Sequence, residues 1–114
     1  MTEMDKTYGD EGGCSARAPY ALQVLGDDME PEFMDEAIII VDPNVPLFNK
    51  AYVVIDYDGE TTFRQFVVRE EKHYLIALKD GSAVELSSEY NLRGVVTQQA
   101  RSRKNGLKKA RHYV

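Results

Sequence analysis

The sequence predicts a mostly β domain of short antiparallel strands and hairpins, and three observations carry that prediction. Between residues 20 and 98 the apolar residues fall in runs of strand length, rich in Val, Ile, Tyr, Phe and Thr and separated by turn-forming residues. Two of the separators are Asp-Gly pairs, Asp58-Gly59 and Asp80-Gly81. Such a pair between strand-like runs marks a hairpin, because a type I′ turn needs positive φ at both central residues. No stretch from 20 to 98 sustains a helical apolar period for three turns.

Residues 1–18 are rich in Gly, Asp, Glu and Ser without an apolar period, so burial cannot offset the entropy of ordering them and a flexible acidic arm is expected. A single domain over 19–99 and a basic tail over 100–114 follow. "YALQVL" (20–25) opens the domain as a strand and stops at Gly26. "AIIIV" (37–41) is apolar on both sides of a pleat, which predicts a central strand covered on both faces. After the turn residues "DPNVP" (42–46), "AYVVIDY" (51–57) and "TTFRQFVV" (61–68) flank the first Asp-Gly pair. "REEK" (69–72) separates the latter from "HYLIAL" (73–78). The second Asp-Gly pair leads into "AVEL" (83–86), and "LRGVVTQ" (92–98) closes the series. Two hairpin signals in succession predict a β-meander.

A chain of 114 residues can bury one core and is too short for two. No apolar run approaches the roughly 18 residues of a membrane span, and the acidic start lacks the basic and apolar segments of an export signal. The single Cys14 has no partner for an internal disulfide, so a reduced, cytoplasmic setting without membrane contact is expected. The formal charge of −5 is unevenly spread. Six basic residues, Arg101, Arg103, Lys104, Lys108, Lys109 and Arg111, stand after Gln98 with no acidic one, whereas the rest holds 8 basic and 19 acidic residues. An acidic body of −11 therefore carries a tail of +6.

The corner "GDDMEP" (26–31), the runs "AIIIVD" and "AYVVIDY", the Asp-Gly turn and "TTFRQF" together resemble the C-terminal peptidase domain of LexA-like repressors and of the related mutagenesis protein UmuD, over roughly residues 20–98. The resemblance implies a LexA/signal-peptidase-like β-ribbon or partly closed barrel. In that family the corner reads Gly-Asp-Ser-Met-x-Pro, its serine is the nucleophile, and a lysine after the hairpin is the general base. Gly26, Asp27, Met29 and Pro31 match, but Asp28 stands at the nucleophile position and Arg64 at the base position.

Both changes bear on the chemistry. A carboxylate in place of the serine repels the developing oxyanion and makes a poor acyl carrier. A guanidinium with pKa above about 12 does not release its proton to act as base. The relatives also cut their own chain between a small residue and glycine, and here the order Gly13-Cys14 is reversed. A catalytically inactive homologue is the expectation. The resemblance further implies a homodimer paired through "LRGVVTQQA", with Leu92, Val95, Val96 and Gln98 as interface residues, an unidentified protein partner, and a setting in transcription or SOS-type regulation.

Other chemistries rank lower. Asp27 and Asp28 are adjacent and tend to point apart, unlike an aspartic-protease dyad. The acidic run Asp27, Asp28, Glu30, Glu32, Asp35, Glu36 lacks the spacing of a calcium loop, and two histidines and one cysteine far apart offer no zinc site. No metal or cofactor is expected. Ser87 or Ser88 with Lys79 or His73 as base is a weak alternative nucleophile, since serine pairs before turns are common. Two rival functions stay open: a peptidase with an unorthodox site, and a regulator that binds nucleic acid through the six tail cations.

Overall fold

The computed structural model describes residues 18–87, 89–102 and 106–114. Among them the chain forms eight strands and no helix: β1 (Tyr20–Gln23), β2 (Ile38–Asp42), β3 (Tyr52–Tyr57), β4 (Glu60–Arg69), β5 (Lys72–Ile76), β6 (Ala83–Glu85), β7 (Asn91–Gln99) and β8 (Arg111–His112). All pairings are antiparallel. The sheet runs β1-β2-β7-β3-β4-β5-β6 and is open, with β1 and β6 at its ends and β8 added to β7. The mostly β architecture expected from the sequence is therefore present, and β3 to β6 form the meander.

The first Asp-Gly pair makes the two-residue turn its residues demand. Tyr57 pairs with Glu60, and Asp58 and Gly59 have φ of 54° and 80°. The second does not, because only Gly81 (φ 73°) is left-handed and the connection from β5 to β6 is longer. The other tight hairpin is at "REEK". Arg69 pairs with Lys72 across Glu70 and Glu71, whose φ values are 49° and 68°.

Consecutive residues point to opposite faces of a strand, so fully buried neighbours reveal a strand covered on both sides. That holds for Val53-Val54-Ile55 in β3 and Val95-Val96 in β7, all at most 1% exposed. One face packs Val54 and Val96 with Ile39, Val41, Val24, Met29, Phe33 and Ala37. The other packs Val53, Ile55 and Val95 with Ala51, Phe66, Leu75 and Leu86. The run "AIIIV" is covered on one face only: Ile39 and Val41 are buried, whereas Ile38 is exposed and Ile40 half-buried. β2 lies next to the sheet's end, beyond the reach of the second cluster.

β7 sits between β2 and β3 and is enclosed by both clusters. The residues expected at a dimer surface on "LRGVVTQQA" are unequally placed within one chain. Val95 and Val96 are 0% exposed within one chain, so they have no surface to offer a partner; Leu92 and Gln98 are half-buried. The close approach of β7 to β2 depends on Gly94, where a Cβ would stand 2.6 Å from Val41 Cγ1 and 3.1 Å from the Asp42 backbone.

The C-terminal residues are also not the solvated tail that their charge suggests. β8 pairs with Gln98 and Gln99, the Tyr113 N–H donates to the Thr97 carbonyl at 2.9 Å, and the Tyr113 ring packs on Phe33 and Tyr52. One aromatic anchor and two ladder pairs tie the end of the chain across the boundary expected at residue 99. The flexible arm expected over 1–18 lies, but for Ala18, outside the described residues. No helix of the described residues is long and apolar enough to cross a membrane.

Candidate functional site

The corner after β1 is built by its own backbone. Gly26 takes φ 95°, a conformation that favours glycine, and its N–H donates to Asp35 Oδ1 at 2.7 Å. Val24 and Ala37 close the loop behind it, the Val24 N–H donating to the Ala37 carbonyl at 2.8 Å. Met29 (1% exposed) and Phe33 (0%) peg the turn into the first core cluster. Asp27 and Asp28 are left on its outer side, with Pro31 exposed beyond them.

Asp28 meets Arg64. Arg64 lies on β4 opposite Val53 of β3, and its Nη2 is 3.5 Å from Asp28 Oδ2. The contact is a single ion pair in place of two parallel hydrogen bonds, because Nη1 donates to the Phe63 carbonyl at 2.7 Å. The Asp28 side chain is 56% exposed and that of Arg64 28%.

Asp27 meets Lys79, a residue that its position in the sequence does not link to the corner. The Lys79 ammonium donates to Asp27 Oδ2, and its backbone N–H donates to the Asp28 carbonyl at 3.0 Å. The hydrogen bond and charge of Lys79 hold the Asp27 carboxyl below the usual carboxylate range, and Asp27 in return raises the Lys79 pKa. A lysine so held stays protonated and is the opposite of a general base, which needs a depressed pKa. Asp27 and Asp28 thus face two different cations and do not share a proton.

Asp28 borders a cleft of ≈ 440 Å³ between β1, the corner and the β3–β4 hairpin, with Leu22, Val24, Met29, Thr62, Phe63 and Arg64 in its walls. One flank is apolar and the other carries the Asp28–Arg64 pair. Such a cleft can accept an extended segment of chain. The pair consists of a carboxylate and a guanidinium, with no hydroxyl between them.

The remaining candidates are dispersed. Ser87 Oγ accepts from the Glu89 N–H at 3.3 Å in a local turn, Ser88 lies outside the described residues, and His73 packs on the Phe66 ring with centroids 5.1 Å apart. Lys79, the other base considered for that serine pair, is engaged at the corner. Among the described residues no group of three or more His, Cys, Asp or Glu side chains gathers to hold a metal. Gly13 and Cys14 fall outside the described residues, as do Arg103 and Lys104. Of the other tail cations, Arg101, Lys108 and Lys109 are exposed, and Arg111 donates to Glu32 Oε2 at 2.9 Å.

Two networks have no sequence signal beyond the residue types. Glu32, Gln99, Arg111 and Tyr113 converge below the corner: Gln99, 3% exposed, donates to the Glu32 carbonyl at 3.0 Å and to the Tyr113 oxygen at 2.9 Å. Where β3 pairs with β7, Asp56 accepts from Arg93 Nε at 2.8 Å and Asn91 Nδ2 at 3.2 Å.

The family model described as Peptidase S24-like matches residues 5–94, a span that includes the corner, the cleft and Arg64. No curated protein sequence matches the chain.

Proposed function

The chain belongs to the Peptidase S24-like family, and we propose that within it this member keeps the fold and the cleft but does not cleave peptides, serving instead as a protein-interaction module. One observation carries the reading. At the corner that resembles the family's nucleophile turn, Asp28 contacts Arg64 at 3.5 Å, so the two positions implied for nucleophile and base hold an ion pair. A guanidinium does not act as base at neutral pH, and a carboxylate facing it is a salt-bridge partner before it is a nucleophile. Lys79, the other amine at the corner, is biased toward its charged form by Asp27.

The interaction is one with a partner protein or a second copy, in a cytoplasmic regulatory setting of the transcriptional or SOS type that the family resemblance suggests. Since β7 is interior, self-association falls to an end of the sheet, where β1 is the last strand among the described residues and Leu22 is 36% exposed. Light scattering at twice 12.9 kDa supports the dimer, and 12.9 kDa across a wide concentration range removes it.

The test of inactivity is incubation of the purified chain at mildly alkaline pH followed by intact-mass measurement. The mass is expected to stay that of the full chain. Reproducible cutting that disappears in Asp28→Ala would overturn the proposal in favour of an unorthodox peptidase.

A further inference from the structure

Residues 100–102 and 106–110 belong to an arm that neither the fold's core nor the proposed module uses. β7 runs out of the sheet into it and β8 brings the chain back, with Ser102 and Leu107 exchanging backbone hydrogen bonds at 2.7 and 2.8 Å. Its root is fixed. The Ala100 N–H donates to the Ile38 carbonyl at 2.9 Å, Arg111 is spent on Glu32, and Tyr113 is packed on Phe33.

The Ser102–Leu107 bridge sets the register of the arm. Next to that pair on the side of the root, Arg101 and Lys108 line one cavity of ≈ 460 Å³ together with Ser102, Gly106 and Leu107. Ser102 and Leu107 are half-buried, whereas Arg101, Lys108 and the following Lys109 are exposed. Among the described residues none of these three cations has a carboxylate partner, in contrast to Arg64, Lys79, Arg93 and Arg111. Like charges lining one cavity are unfavourable unless an anion lies between them.

We propose that the cations Arg101 and Lys108, with Lys109 beside them, are a contact site for the phosphates of double-stranded nucleic acid. The chemistry favours this partner on three counts. A like-charged pair suits closely spaced anions, and a duplex backbone repeats them along its length. The arm offers no exposed apolar side chain for insertion into a lipid surface, its Leu107 being half-buried. Of the rings after Gln98, Tyr113 is packed on Phe33 and His112 lies on β8 at the root, so among the described residues the arm itself presents no ring for the base stacking that single strands exploit. Contact is through phosphates and independent of base sequence. The acidic body, −11 by formal charge outside the basic segment, repels the same polymer and restricts contact to the arm.

The experiment is fluorescence anisotropy of a labelled DNA duplex of arbitrary sequence with the full chain at low salt, repeated over a salt series and with phosphatidylserine vesicles as competitor. The expected result is weak binding whose log K falls against log salt with a slope of about −2.7, the value for three phosphates. The variant Arg101→Gln, Lys108→Gln, Lys109→Gln should bind at least about tenfold more weakly with unchanged circular dichroism. Absence of binding by the unmodified chain overturns the proposal. So do equal binding by the folded triple variant, and displacement of the duplex by vesicles at matched charge.

Discussion

The Tyr113 hydroxyl donates a hydrogen bond to Glu32 Oε2 at 2.7 Å, joining residues 81 positions apart. Burial, and then this bond to a carboxylate, raise the Tyr113 pKa above the ordinary tyrosine value of 10.0. A folded-state pKa raised above the unfolded one means stability that is complete below pH about 10 and lost as pH climbs beyond it. Tyr113→Phe should cost about 1 kcal/mol at neutral pH and flatten part of the alkaline decline. Tyr52, which burial also shifts upward, and Lys79, which Asp27 shifts upward, contribute to the rest. Thermal melts across the alkaline range measure both, and an unchanged alkaline slope in the variant contradicts the assignment.

The Asp28–Arg64 pair should couple weakly. With Asp28 56% exposed and a single contact at 3.5 Å, the Asp28→Ala, Arg64→Ala double-mutant cycle is expected to give about 0.2–1 kcal/mol. A coupling of several kcal/mol would indicate a buried clasp, and zero would remove the pairing.

Acid should act through Asp56. Hydrogen bonds from Arg93 first, then from Thr61 and Asn91, lower its pKa from 3.8 to about 2. A depressed folded-state pKa gives stability that is present above the unfolded value and is lost as pH falls through the folded one, so the window runs from about pH 4 down to about 2. Asp56→Asn should therefore lower the denaturation midpoint at neutral pH and show a shallower further loss in that window. Parallel urea titrations with the unmodified chain check this.

Gly94 should not tolerate a side chain. Adding one methyl group drives it to 2.6 Å from Val41 Cγ1, between strands held on both edges, so Gly94→Ala should destabilise by about 1–3 kcal/mol. A melting temperature equal to that of the unmodified chain would show that β2 and β7 yield without cost.

The hairpin at Glu70 and Glu71 should be improvable. Two non-glycine residues with φ of 49° and 68° carry a conformational cost that Asn-Gly at the same turn does not. Glu70→Asn with Glu71→Gly is expected to stabilise by about 1 kcal/mol, read as a raised denaturation midpoint.

Much of this molecule was legible one segment at a time. Strand-length apolar runs, the Asp58-Gly59 hairpin and the chemistry of the corner all depend on residues within a few positions of each other, where periodicity and turn preference act directly. The resemblance of "GDDMEP" and "TTFRQF" also assigned Asp28 and Arg64 to the two positions of one implied dyad, since a family pattern carries long-range relationships that composition lacks.

What the segments could not say is who their neighbours are. The run "AIIIV" is more apolar than "LRGVVTQ", yet β7 lies between β2 and β3 with both faces covered while β2 has one face open, because position in the sheet, and not hydrophobicity alone, decides coverage. Lys79 reaches Asp27 across 52 residues, and Tyr113 turns a basic tail into a docked strand by filling a hollow beside Phe33. The sequence by itself determined where strands and turns form and which residue types stand at the corner. Only the tertiary structure decided which strand is interior, which cation faces which carboxylate and where the chain's end is held. Those choices are made by packing and charge between residues remote in sequence, and no local preference records them.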